Sequence, residues 1–97
     1  MMEVVWLDDA TQDLKEIGFF ISKENPAAAY EVLAKIKASA DSLELNPELG
    51  RVGRVKKTRE LVIAGLPYII PYTINKEQIR ILAVMHTSKK WPDDFNK

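Results

Sequence analysis

The chain has 97 residues, 46% of them hydrophobic and 29% charged, and its 14 basic and 14 acidic side chains cancel to a formal charge of zero. That length holds one small domain, and it excludes a barrel enzyme, a doubly wound dinucleotide fold or a two-domain machine. With no cysteine, and His86 as the one histidine, a disulfide framework, a thiolate zinc site, a thiol nucleophile and a histidine-rich metal site are excluded as well.

No apolar run approaches the roughly 18–20 residues of a membrane span, and the N-terminus lacks the basic-then-apolar layout of a signal peptide. The expectation is a single cytoplasmic domain over residues 1–97, with no membrane partner, no metal and no small-molecule cofactor. The zero charge conceals an asymmetry. Residues 1–50 carry 4 Lys+Arg against 10 Asp+Glu, a balance of −6, and residues 51–97 carry 10 against 4, a balance of +6. Either the halves interleave in space and neutralise one another, or the second half builds a basic surface for an anionic partner.

Glu3-Val4-Val5-Trp6-Leu7 is β-branched and aromatic and predicts a strand. Asp8 and Asp9 follow as expected N-caps. Ala10, Leu14, Ile17 and Ile21 then recur at the spacing of one helical face. Gly18 inside that helix costs about 1 kcal/mol relative to alanine, which predicts close approach of a second helix. Asn25-Pro26 opens that second helix, with asparagine as cap and proline at the first position. Its apolar stripe is Ala29, Val32, Leu33, Ile36, Ala40 and Leu43, it is expected to run to about Leu45, and Asn46-Pro47 and Gly50 end it.

Arg51 to Arg59 reads as a basic loop. Three strand-like runs follow, 58–64, 67–74 and 78–86, joined by the short turns Gly65-Leu66-Pro67 and Asn75-Lys76-Glu77. Alternation places Leu61 with Ile63, then Tyr68 with Ile70, Tyr72 and Ile74, and Ile79 with Ile81, Ala83 and Met85. Pro71 cannot donate to a ladder and predicts a bulge or a local edge. The predicted fold is α+β in the order β-α-α-β-β-β: an N-terminal strand, then an antiparallel helical hairpin packed on a small, mostly antiparallel sheet.

Three groups could carry chemistry. Asp9, Asp13 and Glu16 share a helical face and read as a solvated patch near a helix N-terminus. Arg51, Arg54, Lys56, Lys57 and Arg59 are five like charges with no acid among residues 51–59, beside Gly50 and Gly53. Together with Lys89, Lys90 and Trp91 they predict a contact surface for phosphate or acidic protein. His86 reads either as a hydrogen-bonded strand end or as an acid/base catalyst acting with the cations.

The whole chain resembles the ParE branch of the RelE/ParE toxin superfamily. The resemblance rests on Val5-Trp6, Asp13-Leu14 with Ile17, Asn25-Pro26-Ala27-Ala28-Ala29, and Asn46-Pro47-Glu48-Leu49-Gly50-Arg51 with Gly53-Arg54. It continues through Thr58-Arg59-Glu60-Leu61, Pro67-Tyr68 with Tyr72, and His86-Thr87-Ser88 to Trp91-Pro92. It implies a toxin of a type II toxin–antitoxin module, held inactive by a cognate antitoxin. ParE-type toxins poison DNA gyrase by binding it, whereas RelE-type relatives cut messenger RNA on the ribosome without a metal. The second activity would use Arg59 and His86, and the absence of a tyrosine after Tyr72 departs from its pattern. The expectation is therefore a non-catalytic gyrase inhibitor, with a ribosome-dependent endoribonuclease as the alternative.

Overall fold

A computed structural model describes residues 1–95. The elements are β1 (Glu3–Trp6), α1 (Asp8–Ser22), α2 (Pro26–Asp41), a 3-10 turn (Ser42–Glu44), β2 (Arg51–Val52), β3 (Arg59–Val62), β4 (Tyr68–Asn75), β5 (Gln78–Ile81) and β6 (Met85–His86). The sheet runs in the order β1-β5-β4-β3-β2, with β6 also on β4. Among the described residues the β1–β5 pair is parallel and the other pairs are antiparallel. The α+β hairpin-on-sheet expectation holds, with two additions. The basic loop begins with the short strand β2, and the last predicted strand is broken into β5 and β6.

The α2 start is built as the sequence predicts. Asn25 has extended backbone, the Ala28 N–H donates to its Oδ1 at 3.0 Å, and Pro26 takes the first helical position. Asn25→Ala should lower stability by about 1 kcal/mol, which thermal denaturation reads as a drop of about 4–8 °C for a domain of this size. The α1 start differs from expectation. Leu7 occupies the cap position with no side-chain bond, and Asp8 and Asp9 lie inside the first turn, where their charges favour the helix dipole. The second helix stops at Asp41, and the 3-10 turn carries Leu43 on into the core. Gly18 is explained by packing: a Cβ there would lie 2.7 Å from Leu33 Cδ1 on α2.

The helices cover one face of the sheet. The core beneath them joins Ala10, Ile36, Ala40 and Leu43 to Leu61, Ile63, Ile70, Tyr72, Ile79 and Ile81. Pro71 sets the register at the far end of the sheet. Tyr72 faces Ile81, and Pro71 accepts from the Leu82 N–H at 3.0 Å but has no N–H to return. The β4–β5 ladder ends there and resumes where Ile69 faces Met85. Two residues of β4 thus oppose three of the other strand, which is the expected bulge. The extra residue swaps the faces beyond it. Val84 joins the core rather than Ala83 or Met85, and His86 turns to the helix side, edge-on to Tyr68 with centroids 5.4 Å apart.

Candidate functional site

The basic loop between β2 and β3 lies on the face of the sheet that the helices leave open. Its charges are not all free. Glu60, the first acid after the cationic run, is only 2% exposed. Its Oε1 accepts from Arg51 Nε at 3.2 Å and Nη2 at 3.0 Å, and its Oε2 accepts from the Arg54 backbone N–H at 2.7 Å and Arg54 Nε at 3.2 Å. Burial works to raise the Glu60 pKa, but these donors outweigh it and hold the carboxyl below its usual range. Arg54 also lies 3.9 Å from the centre of the Trp91 ring, a cation–π contact that fixes the C-terminal segment on this face.

Gly53 closes the loop. Its N–H donates to Thr58 O at 2.8 Å, and the Thr58 hydroxyl donates to Val55 O at 2.6 Å. A Cβ on Gly53 would lie 2.9 Å from Thr58 O, so only glycine lets the two strands of the loop approach this closely.

Arg59 has a different task on the helix side. It pairs with Tyr72 across β3 and β4, and both grip the 47–50 segment. Arg59 Nη1 donates to Gly50 O at 2.6 Å and Glu48 O at 3.4 Å. The Tyr72 hydroxyl donates to Pro47 O at 2.7 Å and accepts from the Gly50 N–H at 2.9 Å. Burial raises the Tyr72 pKa, and the Gly50 N–H partly offsets it, so the phenol stays protonated and able to donate near neutrality.

On the outer face is a cleft of about 480 Å³ whose lining includes Lys56, Lys57, Thr58, Thr73, Asn75, Arg80, Asp94 and Phe95. Thr73 and Arg80 are cross-strand partners, so alternation points both to this face. Arg80 Nε donates to Gln78 Oε1 at 3.2 Å, and among the described residues neither lysine is in a salt bridge. Lys57 holds φ +65, a backbone conformation that residues other than glycine adopt infrequently. Two lysines and an arginine beside Thr73 suit phosphate or carboxylate groups.

The eight cations and aromatics singled out from sequence therefore divide. Lys56 and Lys57 line the outer cleft, and Arg51, Arg54 and Trp91 brace the loop that carries them. Arg59 clamps the loop before β2, Lys89 borders a separate cleft beside α1, and Lys90 is exposed. Arg80 was missed, because a lone arginine in a strand gives no sequence cluster. Its face is legible only once strand register is known.

Arg59 and His86, the pair required for a nuclease, are not brought together. Arg59 faces Tyr72 from β3, and His86 faces Tyr68 from β6 on the other side of β4. Four residues of strand separate those positions, roughly 13 Å. His86 Nδ1 accepts from the Ser88 N–H at 3.1 Å and lies 2.7 Å from Ser88 Oγ, the hydrogen-bonded strand end that is one of its two sequence readings. Asp13 is not a solvated acid. Its Oδ2 accepts from the Val84 N–H at 2.9 Å, and burial raises its pKa against that bond. Among the described residues no group of acids and histidine is arranged to hold a metal, and no helix is long and apolar enough to cross a membrane.

Comparison with known proteins agrees with this architecture. Residues 4–91 match the family model described as the ParE toxin of the type II toxin–antitoxin system parDE. The chain is 48% identical over 87 residues to toxin Y4kP of Sinorhizobium fredii, covering 90% of each protein. It is 35% identical over 89 residues to toxin RelE2 of Caulobacter vibrioides, covering 92% of this chain and 99% of that one. A solved chain from the chromosomal ParDE toxin–antitoxin system of P. aeruginosa superposes with a TM-score of 0.80 at 25% identity, covering 89% of this chain and 96% of the other. A strand-hairpin-sheet domain matched along nearly its whole length by these toxins has one classification: the chain belongs to the ParE toxin family and is the toxin of a type II toxin–antitoxin system.

Proposed function

We propose that this toxin acts in the cytoplasm on DNA gyrase by binding it, and that the outer cleft of Lys56, Lys57 and Arg80 carries the contact. The observation behind this reading is the separation of Arg59 from His86, with the Arg59 guanidinium engaged by the carbonyls of Gly50 and Glu48. A phosphate held at one residue is out of reach of the other, whereas the outer cleft presents Arg80 from the sheet and Lys56 and Lys57 from its braced loop. Arg51, Arg54 and Trp91 support the cleft by fixing its loop. The cations steer an acidic surface into contact and make the encounter salt-dependent.

Purified toxin with gyrase and supercoiled plasmid tests the reading. Wild-type protein is expected to inhibit supercoiling and trap cleaved DNA at micromolar concentration. Lys56→Glu with Lys57→Glu should weaken this on the order of tenfold or more, with most of the loss in association rate at low salt. No inhibition by the wild type would refute gyrase as target. Messenger RNA cuts on the ribosome that disappear in His86→Ala would establish the endoribonuclease alternative instead.

A further inference from the structure

The two banks of the outer cleft come from different parts of the chain. Lys56 and Lys57 belong to the loop between β2 and β3, and Thr73 and Arg80 to the paired strands β4 and β5. The left-handed backbone at Lys57 turns the loop where both consecutive lysines reach the lining. Arg80 is held along its strand by the bond from its Nε to Gln78 Oε1. Lysine and arginine only donate hydrogen bonds, and the Thr73 hydroxyl adds another donor. Asp94 is the acid in the lining, so three cations face one carboxylate.

The opposite face of the sheet has the other sign. It is covered by α1 and α2, which carry six acids against three bases. A polyanion is repelled there and drawn to the outer face. Shape then selects among anions. A concavity of about 480 Å³ suits an extended chain better than the flat surface of a folded protein, and donors on both banks meet the free oxygens of a phosphodiester from either side. Phe95, half-buried in the same lining, places an aromatic ring beside the charge. A cationic groove with an aromatic in it is the combination that holds single nucleic-acid strands with little regard to sequence.

We propose that the outer cleft binds a single DNA strand, with Lys56, Lys57 and Arg80 each contacting a phosphate and Phe95 stacking on a base. The proposal deepens the gyrase reading and rests on it for the choice of DNA: the toxin grips the nucleic acid that the enzyme carries as well as the enzyme itself. Asp94 repels an entering phosphate. It keeps the affinity for free DNA modest and makes the site depend on a partner that presents the strand.

Fluorescence anisotropy of the full toxin with labelled oligothymidylate tests this, with a DNA duplex and oligouridylate as further probes. The single DNA strand should bind at about 10–100 μM in low salt, with a logarithmic salt slope of roughly −2, as three phosphate contacts on a single strand give. Duplex should bind more weakly. Lys56→Glu with Lys57→Glu should weaken binding on the order of tenfold or more, and Asp94→Asn should tighten it about threefold. Lys35→Glu with Lys37→Glu on α2 makes the same change in net charge and should stay within about twofold of wild type. All four lysines are exposed, so both pairs should keep the wild-type unfolding midpoint. Equal losses in the two lysine pairs would overturn the proposal, and so would tighter binding of oligouridylate than of oligothymidylate. A toxin that inhibits gyrase but binds no oligonucleotide would overturn it while leaving gyrase as the target. Strand binding that meets every expectation above, without gyrase inhibition, would keep the site and refute the target.

Discussion

Replacing Arg51 and Arg54 together by alanine is expected to destabilise the toxin by about 3–5 kcal/mol, a large share of what a small domain has. The two guanidiniums are half-exposed, at 57% and 48%, and could return to water at little cost. Glu60 at 2% exposure could not, so truncating both partners leaves a buried carboxylate with only the Arg54 backbone N–H. Adding Glu60→Gln to the double variant should recover most of the loss, because the neutral amide keeps the shape without the charge. Urea unfolding measures all three. A double variant within about 1 kcal/mol of wild type would show that Glu60 finds water or another donor.

The same carboxylate sets an acid sensitivity. Its folded pKa lies below its unfolded value. The stabilisation is therefore fully present above the ordinary carboxylate range and is lost as pH falls through the folded value. Glu60→Gln should be less stable than wild type at neutral pH, and the difference should close in acid. A constant difference across that range would exclude the linkage.

The second large effect belongs to Tyr72→Phe. Loss of the hydroxyl strands the Gly50 N–H and removes the donor to Pro47 O beneath the 47–50 segment. A buried group left without its partner costs about 1–3 kcal/mol. Amide exchange at Gly50 should accelerate with it, because this loop is the link from the 3-10 turn to β2. Unfolding and exchange measured together separate a local opening from a global loss. Unchanged exchange at Gly50 would mean that the hydroxyl is not its principal partner.

These two clusters explain why the residues that carry the family resemblance are so informative about fold. Asn46 to Gly50, Arg51, Gly53-Arg54, Arg59-Glu60 and Tyr72 form one connected set of bonds. It fastens the end of the helical hairpin to the sheet and the basic loop to the sheet's other face. The resemblance therefore reads out a structural lock more directly than a binding surface, and only Lys56 and Lys57 of the basic run are left facing the outer cleft.

The sequence by itself determined the hairpin-on-sheet order of the main elements, the Asn25-Pro26 helix start, the close contact at Gly18, the meander of strands and an interruption at Pro71, as bulge or edge. Each depends on chain-local chemistry: a cap, a missing donor, a turn, a period of hydrophobic residues. Tertiary structure alone decided which charges are free. Glu60 lies one residue beyond the cationic run, yet the fold of the loop brings Arg51 and Arg54 onto it, and Arg59 is turned to the opposite face by strand alternation. It also decided the surroundings of His86, because one unpaired residue between Ile81 and Met85 reverses every later side chain. Register and loop closure depend on partners distant in sequence, so no local pattern can report them.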